Sequence, residues 1–310
     1  MKILITGGLG HIGSYFLQNI NKIKVLKKIY VIDNLSTQRY CSLFNIPKTA
    51  KKISFIEMDL AKKNALDNFV KTDVVIHLAS ITDAAGSLGI RKKIYKNNLN
   101  AFRNVLEYCK KNSSKLIHLS STSVYGEQKG LVDENCKILR PKSPYAEIKL
   151  LEEKILIKNR KKIKFITYRF GTISGVSKGM RFHTAINKFC FNCVLGKPLP
   201  LWKGMTNKPR PYLSLKDAFA VVKFTLEKNF FRNDIYNILS QNLTLASIIK
   251  IFKKNKIKVK VKYHKSRLIN QYPFMVSNKK FSSVAFSLKS KIAEDIKLTL
   301  KQFKYLRHEM

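Results

Sequence analysis

The sequence predicts an α/β fold: a Rossmann-like, doubly wound parallel sheet followed by a smaller C-terminal α/β substrate lobe. Three observations predict it. A short, mostly apolar run at residues 1–6 breaks directly into Gly7-Gly8-Leu9-Gly10-His11-Ile12-Gly13. A second apolar run ends on Asp33, 20 residues after Gly13. Strand-like and helix-like segments then alternate up to residue 170, as they do when parallel strands are joined by helices.

The opening run reads as a buried strand, and the glycines as the turn into a helix. Glycines there permit a tight turn, let backbone approach a pyrophosphate, and let the helix pack close on the strand. The helix N-terminus offers free N–H groups and the positive end of its dipole to phosphates. An acidic residue at position 33 binds the adenosine ribose hydroxyls and repels a 2′-phosphate, so the pattern favours NAD over NADP.

Further strands are predicted at residues 29–33, 54–57, 73–78, 115–120 and 164–169. Apolar residues at helical spacing, among them Ile94, Phe102, Val105 and Cys109, predict a helix over 91–111. Tyr145, Ile148, Leu151 and Ile155 predict another over 143–158. Beyond residue 170 the pattern loosens at Gly171, Gly175 and Gly179. Helices are expected at 180–195, 217–226, 243–252 (capped by Thr244) and 292–306, with strands at 235–239 and 258–263. The domains expected are a cofactor-binding unit at 1–170 and a substrate lobe at 171–310, with some late strands returning to the main sheet.

Composition excludes several classes. A chain of 310 residues that is 45% hydrophobic and 25% charged describes a soluble globular protein. The first strand begins at once, so no signal peptide is expected, and no apolar run is long enough to span a bilayer. Five scattered cysteines suit reduced thiols in the cytoplasm. Cys190-x-x-Cys193 lacks a second pair and reads as two thiols packed in a helix, so no metal site is expected. Lys and Arg outnumber Asp and Glu by 60 to 19, a net charge of +41. The lysines are spread along the whole chain, whereas a nucleic-acid binder concentrates them on a stripe with interleaved aromatics. No specific nucleic-acid partner is inferred. The field attracts anionic substrates and makes the protein adhere to nucleic acid at low salt.

Two more segments carry chemistry. In Ser143-Pro144-Tyr145-Ala146-Glu147-Ile148-Lys149, Tyr145 and Lys149 stand at i and i+4 on one helix face. An ammonium beside a phenol favours the phenolate and makes Tyr145 a usable base. In a lysine-rich helix this pair also arises by chance, as a half-buried tyrosine beside a solvated lysine. The strand at 115–120 runs into Ser120-Ser121-Thr122-Ser123-Val124-Tyr125-Gly126, where ligands of doubly wound sheets sit. A hydroxyl there aligns a substrate oxygen with Tyr145.

Taken together, Thr6–Gly13, Asp33-Asn34-Leu35, Asp59-Leu60, His77-Leu78-Ala79-Ser80, Asn98, Ser120–Gly126, Tyr145-x-x-x-Lys149, Tyr168-Arg169-Phe170 and Pro209–Asp217 resemble the extended short-chain dehydrogenases/reductases. The match is to their NAD-dependent nucleotide-sugar epimerase/dehydratase group. The resemblance implies that Gly7, Gly10, His11, Ile12 and Gly13 seat the pyrophosphate. It places Asp33 and Asn34 at the adenosine ribose, and Asp59 and Leu60 at the adenine. Leu78, Ala79, Ser80 and Ser120 then line the middle of NAD, and Asn98 orders the site. Ser121 corresponds to the catalytic hydroxyl, Tyr145 to the base and Lys149 to its partner at the nicotinamide ribose. Arg210 corresponds to the arginine that grips the substrate diphosphate. Family members often dimerise through the two helices at 91–111 and 143–158, so a homodimer is implied.

The departures from the family narrow its implications. Dehydratases of the group follow the catalytic hydroxyl with Asp-Glu; here Thr122 and Ser123 stand there and cannot replace a carboxylate pair. Thr172 replaces an asparagine common in the group. Residues 171–182 are similar to a subgroup from surface-polysaccharide pathways, some acting on nucleotide-linked heptoses, and this suggests that Arg181 and Asn187 face the substrate. The expectation is an NAD-dependent nucleotide-sugar epimerase working through a 4-keto intermediate. The alternatives are a 4-dehydrogenase or ketoreductase of the same substrate class, or a non-catalytic RNA- or polyanion-binding protein on a reused fold. Replacing Asp33 by Ala should weaken NAD binding roughly 10- to 100-fold, the worth of charge-assisted hydrogen bonds. Calorimetric titration with NAD checks this, and unchanged affinity would place the ribose elsewhere.

Overall fold

The computed structural model describes residues 1–48, 52–82, 91–264 and 273–306. Strand β1 (Lys2–Thr6) buries Ile3, Leu4 and Ile5 completely, as a strand covered on both faces must. Around it lie β2 (Lys28–Asp33), β3 (Lys52–Glu57), β4 (Val74–His77), β5 (Lys115–Ser121), β6 (Phe165–Phe170) and β7 (Ile235–Ile238). They form one parallel sheet in the order β7-β6-β5-β4-β1-β2-β3. The order reverses between β1 and β4, where Thr6 pairs with both Ile32 and His77. Connections leave this switch point in opposite directions and open a crevice at the carboxyl ends.

Helices cover both faces. On one, α1 (His11–Asn19), α5 (Leu215–Glu227) and α7 (Lys279–Val284) bury Phe16, Leu17, Val221, Val222 and Phe281. On the other, α2 (Arg91–Asn112) and α3 (Pro144–Lys158) bury Phe102, Val105 and Leu156. Ser143 caps α3 by accepting the Ala146 N–H, and Pro144 occupies the first turn, where its missing N–H costs nothing. A third core joins α4 (Ala185–Val194), α6 (Leu245–Lys254) and α8 (Ile292–Gln302) through Phe189, Ile248 and Ile296. Among the described residues no helix is long and apolar enough to cross a membrane.

Several boundaries differ from the sequence expectation. The helix expected from residue 180 begins at Ala185, because Gly179 donates its N–H to Ser14 Oγ on α1 rather than entering a helix. The closing helix ends at Gln302, and the strand expected at 258–263 is Val261–His264. Proline-rich segments hid two strands, Leu199–Trp202 and Arg210–Ser214. Pro200 is tolerated in the first because a two-stranded pair leaves an edge unbonded. Cys190 and Cys193 are free, buried thiols on α4, and burial pushes Cys193 up to about 11.

A buried network ties the carboxyl ends of the strands to α3. Glu153 receives both Nε and Nη2 of Arg169, at 3.0 and 2.7 Å, and the Ser120 hydroxyl at 2.5 Å. Arg169 also donates to Tyr125 Oη at 2.9 Å, and that hydroxyl donates to Asn237 on β7. Glu153→Gln leaves the Arg169 charge buried and uncompensated. It should cost about 3–5 kcal/mol, read as a lower urea midpoint with unchanged slope.

Candidate active site

One wall of the crevice is the glycine turn. Gly7 has φ +65, and a Cβ there would lie 2.6 Å from the backbone of Ala79. Only glycine lets β1 and β4 end so close together. Thr6 Oγ1 bonds His77 Nδ1 at 2.8 Å and accepts the N–H groups of Leu78 and Ala79, at 3.2 and 3.3 Å. The opposite wall is therefore fixed to the same strand end. Asn98, expected to order the site, lies behind this wall and bonds both backbone groups of Ile81, at 2.8 and 3.0 Å.

The first hollow of the crevice, where adenosine was expected, is lined by Asp33, Asn34, Asp59, Leu60, Leu78, Ala79 and Ser80. Each Asp33 oxygen accepts one backbone N–H, from Leu9 at 3.0 Å and Leu35 at 3.1 Å. A carboxylate has lone pairs to spare beyond these, for two ribose hydroxyls. Ser80 Oγ is buried with no partner among the described residues, and Gly10 presents bare backbone to the cleft. These are the fittings a dinucleotide needs: acceptors for ribose, a smooth cradle for the pyrophosphate, and a spare hydroxyl between them.

The second hollow shares Gly7, Gly10, Leu78 and Ser80 with the first and continues the cleft over His11, Ile12 and Gly13. It brings together Ser121, Tyr145, Lys149, Arg181 and Arg210, which are spread over β5, α3 and the C-terminal region. Ser121 Oγ accepts the N–H of Ser123 at 3.1 Å and its hydroxyl at 2.9 Å. Both bonds use Ser121 as acceptor, so its own proton is left to donate to a ligand oxygen. The Lys149 ammonium stands 6.0 Å from the centroid of the Tyr145 ring. Thr122 also lines the hollow, and its hydroxyl donates to the Phe170 carbonyl. No Asp or Glu lines this hollow among the described residues.

Two expected site residues serve the wall instead. Ser120 lines the hollow but donates its hydroxyl to Glu153. Asn187 is fully buried and donates to the Arg181 carbonyl at 3.0 Å, so it holds the loop that carries Arg181. Arg181 itself reaches across the cleft and donates to Thr82 Oγ1.

The sequence reading missed Arg39, Thr82, Ser123, His118 and Glu152. Arg39 lines both hollows and senses Asp33; burial pulls it below the usual guanidinium range and the carboxylate partly restores it. Its signal was a lone basic residue closely following Asp33. Glu152 had a clearer one, since it sits at i+3 from Lys149 on the same helix.

With this geometry in view, the comparisons with known proteins are informative. Residues 3–238 match the family described as the NAD dependent epimerase/dehydratase family. The chain belongs to that family. NAD is its cofactor, and the fittings of the cleft suit it. The chain is 30% identical over 260 residues to the uncharacterized UDP-glucose epimerase YtcB of Bacillus subtilis, covering 81% of this chain and 80% of that one. It is 29% identical over 254 residues to a trifunctional UDP-glucose 4,6-dehydratase/UDP-4-keto-6-deoxy-D-glucose 3,5-epimerase/UDP-4-keto-L-rhamnose-reductase of Arabidopsis thaliana. That match covers 76% of this chain but only 37% of the longer plant enzyme. The structure of UDP-glucuronic acid 4-epimerase from Bacillus cereus, solved with UDP-glucuronic acid and NAD, superposes with a TM-score of 0.86. It is 25% identical, with 99% of this chain and 100% of that one covered.

His11 connects the glycine turn to the C-terminal region, its Nε2 2.9 Å from the Gly175 carbonyl oxygen. Burial first, then the charge of Arg181, lowers this imidazole from 6.5 to about 3. His11 is therefore neutral in the folded protein. A group with a depressed basic pKa stabilises the fold fully above the unfolded value and loses that contribution as the pH falls. His11→Gln keeps a donor toward Gly175 but cannot titrate. The variant should lose less thermal stability than the wild type between pH 7 and about 4, in melting curves recorded across that range.

Proposed function

We propose that the protein is a nucleotide-sugar epimerase acting through a transient 4-keto sugar. The observation that carries this reading is that Ser121, Tyr145 and Lys149 converge in a hollow which, among the described residues, has no lining carboxylate. Eliminating water from a sugar calls for an acid and a base beside the leaving hydroxyl. Thr122 and Ser123, at the positions where dehydratases of the group carry that pair, are engaged with Phe170 and Ser121. Oxidation and re-reduction at one carbon need only one proton acceptor.

When bound, NAD supplies a reversible hydride acceptor. The chain supplies the rest. Ser121 donates to the reacting sugar oxygen and holds it in register. Tyr145 Oη takes the hydroxyl proton, keeps it while the keto sugar turns over, and returns it to the same oxygen when the sugar is re-reduced from its other face. Lys149 favours the phenolate by its charge. Arg181 and Arg210 meet the substrate diphosphate from the C-terminal side. The relatives named for UDP-sugars support a nucleotide-linked hexose or uronic acid as the substrate class.

Incubation with UDP-, GDP-, CDP- and dTDP-sugars, with products read by NMR, should give a stereoisomer of one of them without accumulating NADH. A stoichiometric keto sugar with NADH would instead favour the dehydrogenase reading, and a 6-deoxy product would overturn the epimerase assignment. Tyr145→Phe should lower turnover by at least roughly 100-fold while leaving NAD affinity within about twofold. Wild-type turnover in that variant would remove Tyr145 from the mechanism.

A further inference from the structure

Behind Tyr145 and Lys149 lies a buried charged group that the reaction just described does not use. Lys149 is 3% exposed and Glu152 is 1% exposed. The Lys149 ammonium donates to Glu152 Oε2 at 2.8 Å. His118 Nε2 lies 2.9 Å from the same oxygen, and the far side of that ring, Nδ1, is 3.3 Å from Thr167 Oγ1. Phe102 wedges between His118 and His77, with ring centroids 5.5 and 6.2 Å away. The charged and titratable groups that act on Lys149 are Tyr145, Glu152 and Glu153 from α3, His77 from β4 and His118 from β5. Arg169 is already committed to Glu153.

An ammonium at this depth does not hold its proton unaided, because burial disfavours the charged form by as much as 3–5 units. Burial is the largest influence and pulls Lys149 down, but Glu152, by charge and hydrogen bond, acts with Tyr145 and Glu153 against it and the net displacement is upward. Burial likewise pushes Glu152 up, yet Lys149 and His118 bring it to about 2. Burial keeps His118 below its usual value against the pull of Glu152, so the ring is neutral and offers its Nε2 proton to the carboxylate. The pair is thus Lys149⁺ and Glu152⁻, aligned by a neutral imidazole.

We propose that Glu152 is a positioning residue for the reaction: it keeps Lys149 charged and aligned beside Tyr145, and His118 holds Glu152 in place. The inference rests on Tyr145 being the base, as proposed above. The proton balance makes its role concrete. Once the Tyr145–Lys149 pair has given up one proton, the remaining one sits either on Lys149, leaving a phenolate, or on Tyr145, leaving a neutral amine. Only the first form can accept a proton from a sugar hydroxyl. A carboxylate 2.8 Å from the amine selects it.

The test uses Glu152→Gln in the full chain loaded with NAD, without sugar. Lysine labelled with ¹³C at Cε reports the charge of Lys149, its signal assigned by its disappearance in Lys149→Arg. The wild-type signal should remain that of an ammonium to higher pH than in Glu152→Gln, whose titration should fall by about two units. With UDP-glucose as probe substrate, kcat should drop roughly 30- to 100-fold with KM within about twofold. Glu152→Asp keeps the charge at a shorter reach; it should retain the ammonium signal, recover part of kcat, and serve if Glu152→Gln fails to fold. An unmoved lysine titration in Glu152→Gln, or in Glu152→Asp a neutral lysine with full turnover, would overturn the proposal. The NMR readout needs no sugar, so a shifted titration with no turnover of any sugar nucleotide would sink the epimerase reading and leave the role of Glu152 standing.

Discussion

The close approach of Gly7 to the backbone of Ala79 sets the width of the crevice, and the rest of the site depends on it. The sheet must reverse its strand order somewhere, and it does so between β1 and β4. At that reversal two chain segments leave the sheet side by side. Thr6 then binds both, by one hydroxyl shared among His77, Leu78 and Ala79. A side chain at position 7 would push the walls apart, and the fittings at Asp33 and Ser80 would no longer face one ligand. The far end is closed in a similar way. Gly179 packs on the carbonyl oxygens of Leu9 and Gly10, where a Cβ would come within 2.1 Å, and Ser42 holds Leu9 from another side at 2.7 Å. The glycine turn is thus gripped from several directions before any ligand arrives, and the cost of ordering it has been met by the fold.

The chemistry of the cleft depends on how a very basic chain uses its few carboxylates. Of 19 acidic residues, several are withdrawn into the interior and matched to particular partners. Glu152 meets Lys149 and His118; Glu153 meets Arg169 and Ser120; Asp217 meets Ser240 and Ser290; Asp295 meets Ser174 and Ser214. Each joins elements distant in sequence. The hollow above them is left lined by hydroxyls and cations, with Arg181, Lys188, Lys208 and Arg210 on the C-terminal side. Such a surface suits an anionic ligand, and among the described residues no carboxylate lines it. The lysine excess over the rest of the surface adds a general attraction for anions, which this site makes specific.

The sequence was most legible where local rules govern. Continuous apolar runs marked β1, β2, β4 and β6, and the helical spacing of apolar residues marked α2 and α3, to within a few residues. One cap was legible too: Thr244 accepts the Ser247 N–H three residues on, as side chains of that type do at helix starts, and the structure adds Ser143, which does the same for Ala146. Legibility failed over 171–211. Short strands there pair with distant partners, Thr172–Ser174 with Arg210–Ser214 and Leu199–Trp202 with Val261–His264, and prolines disguise them. The early helix start expected at residue 180 failed for the same reason, since the backbone of Gly179 is bonded to a helix 165 residues away.

By itself, then, the sequence determined the parallel sheet, the glycine turn with Asp33, and the Ser121, Tyr145 and Lys149 set, because each follows from spacing along one segment or from a pattern held in order along the chain. The tertiary structure decided what those residues are attached to. It tied the Ser120 hydroxyl to Glu153, buried Asn187 under the backbone of Arg181, bonded Thr122 to Phe170, set Ser123 to donate to Ser121, and placed Glu152 and His118 behind Lys149. These are contacts between polar groups brought into one dry volume by packing. In such a volume a buried donor or charge is costly unless it finds a partner. Which partner it finds depends on where the strands and helices finally lie, and no stretch of the chain carries that information alone.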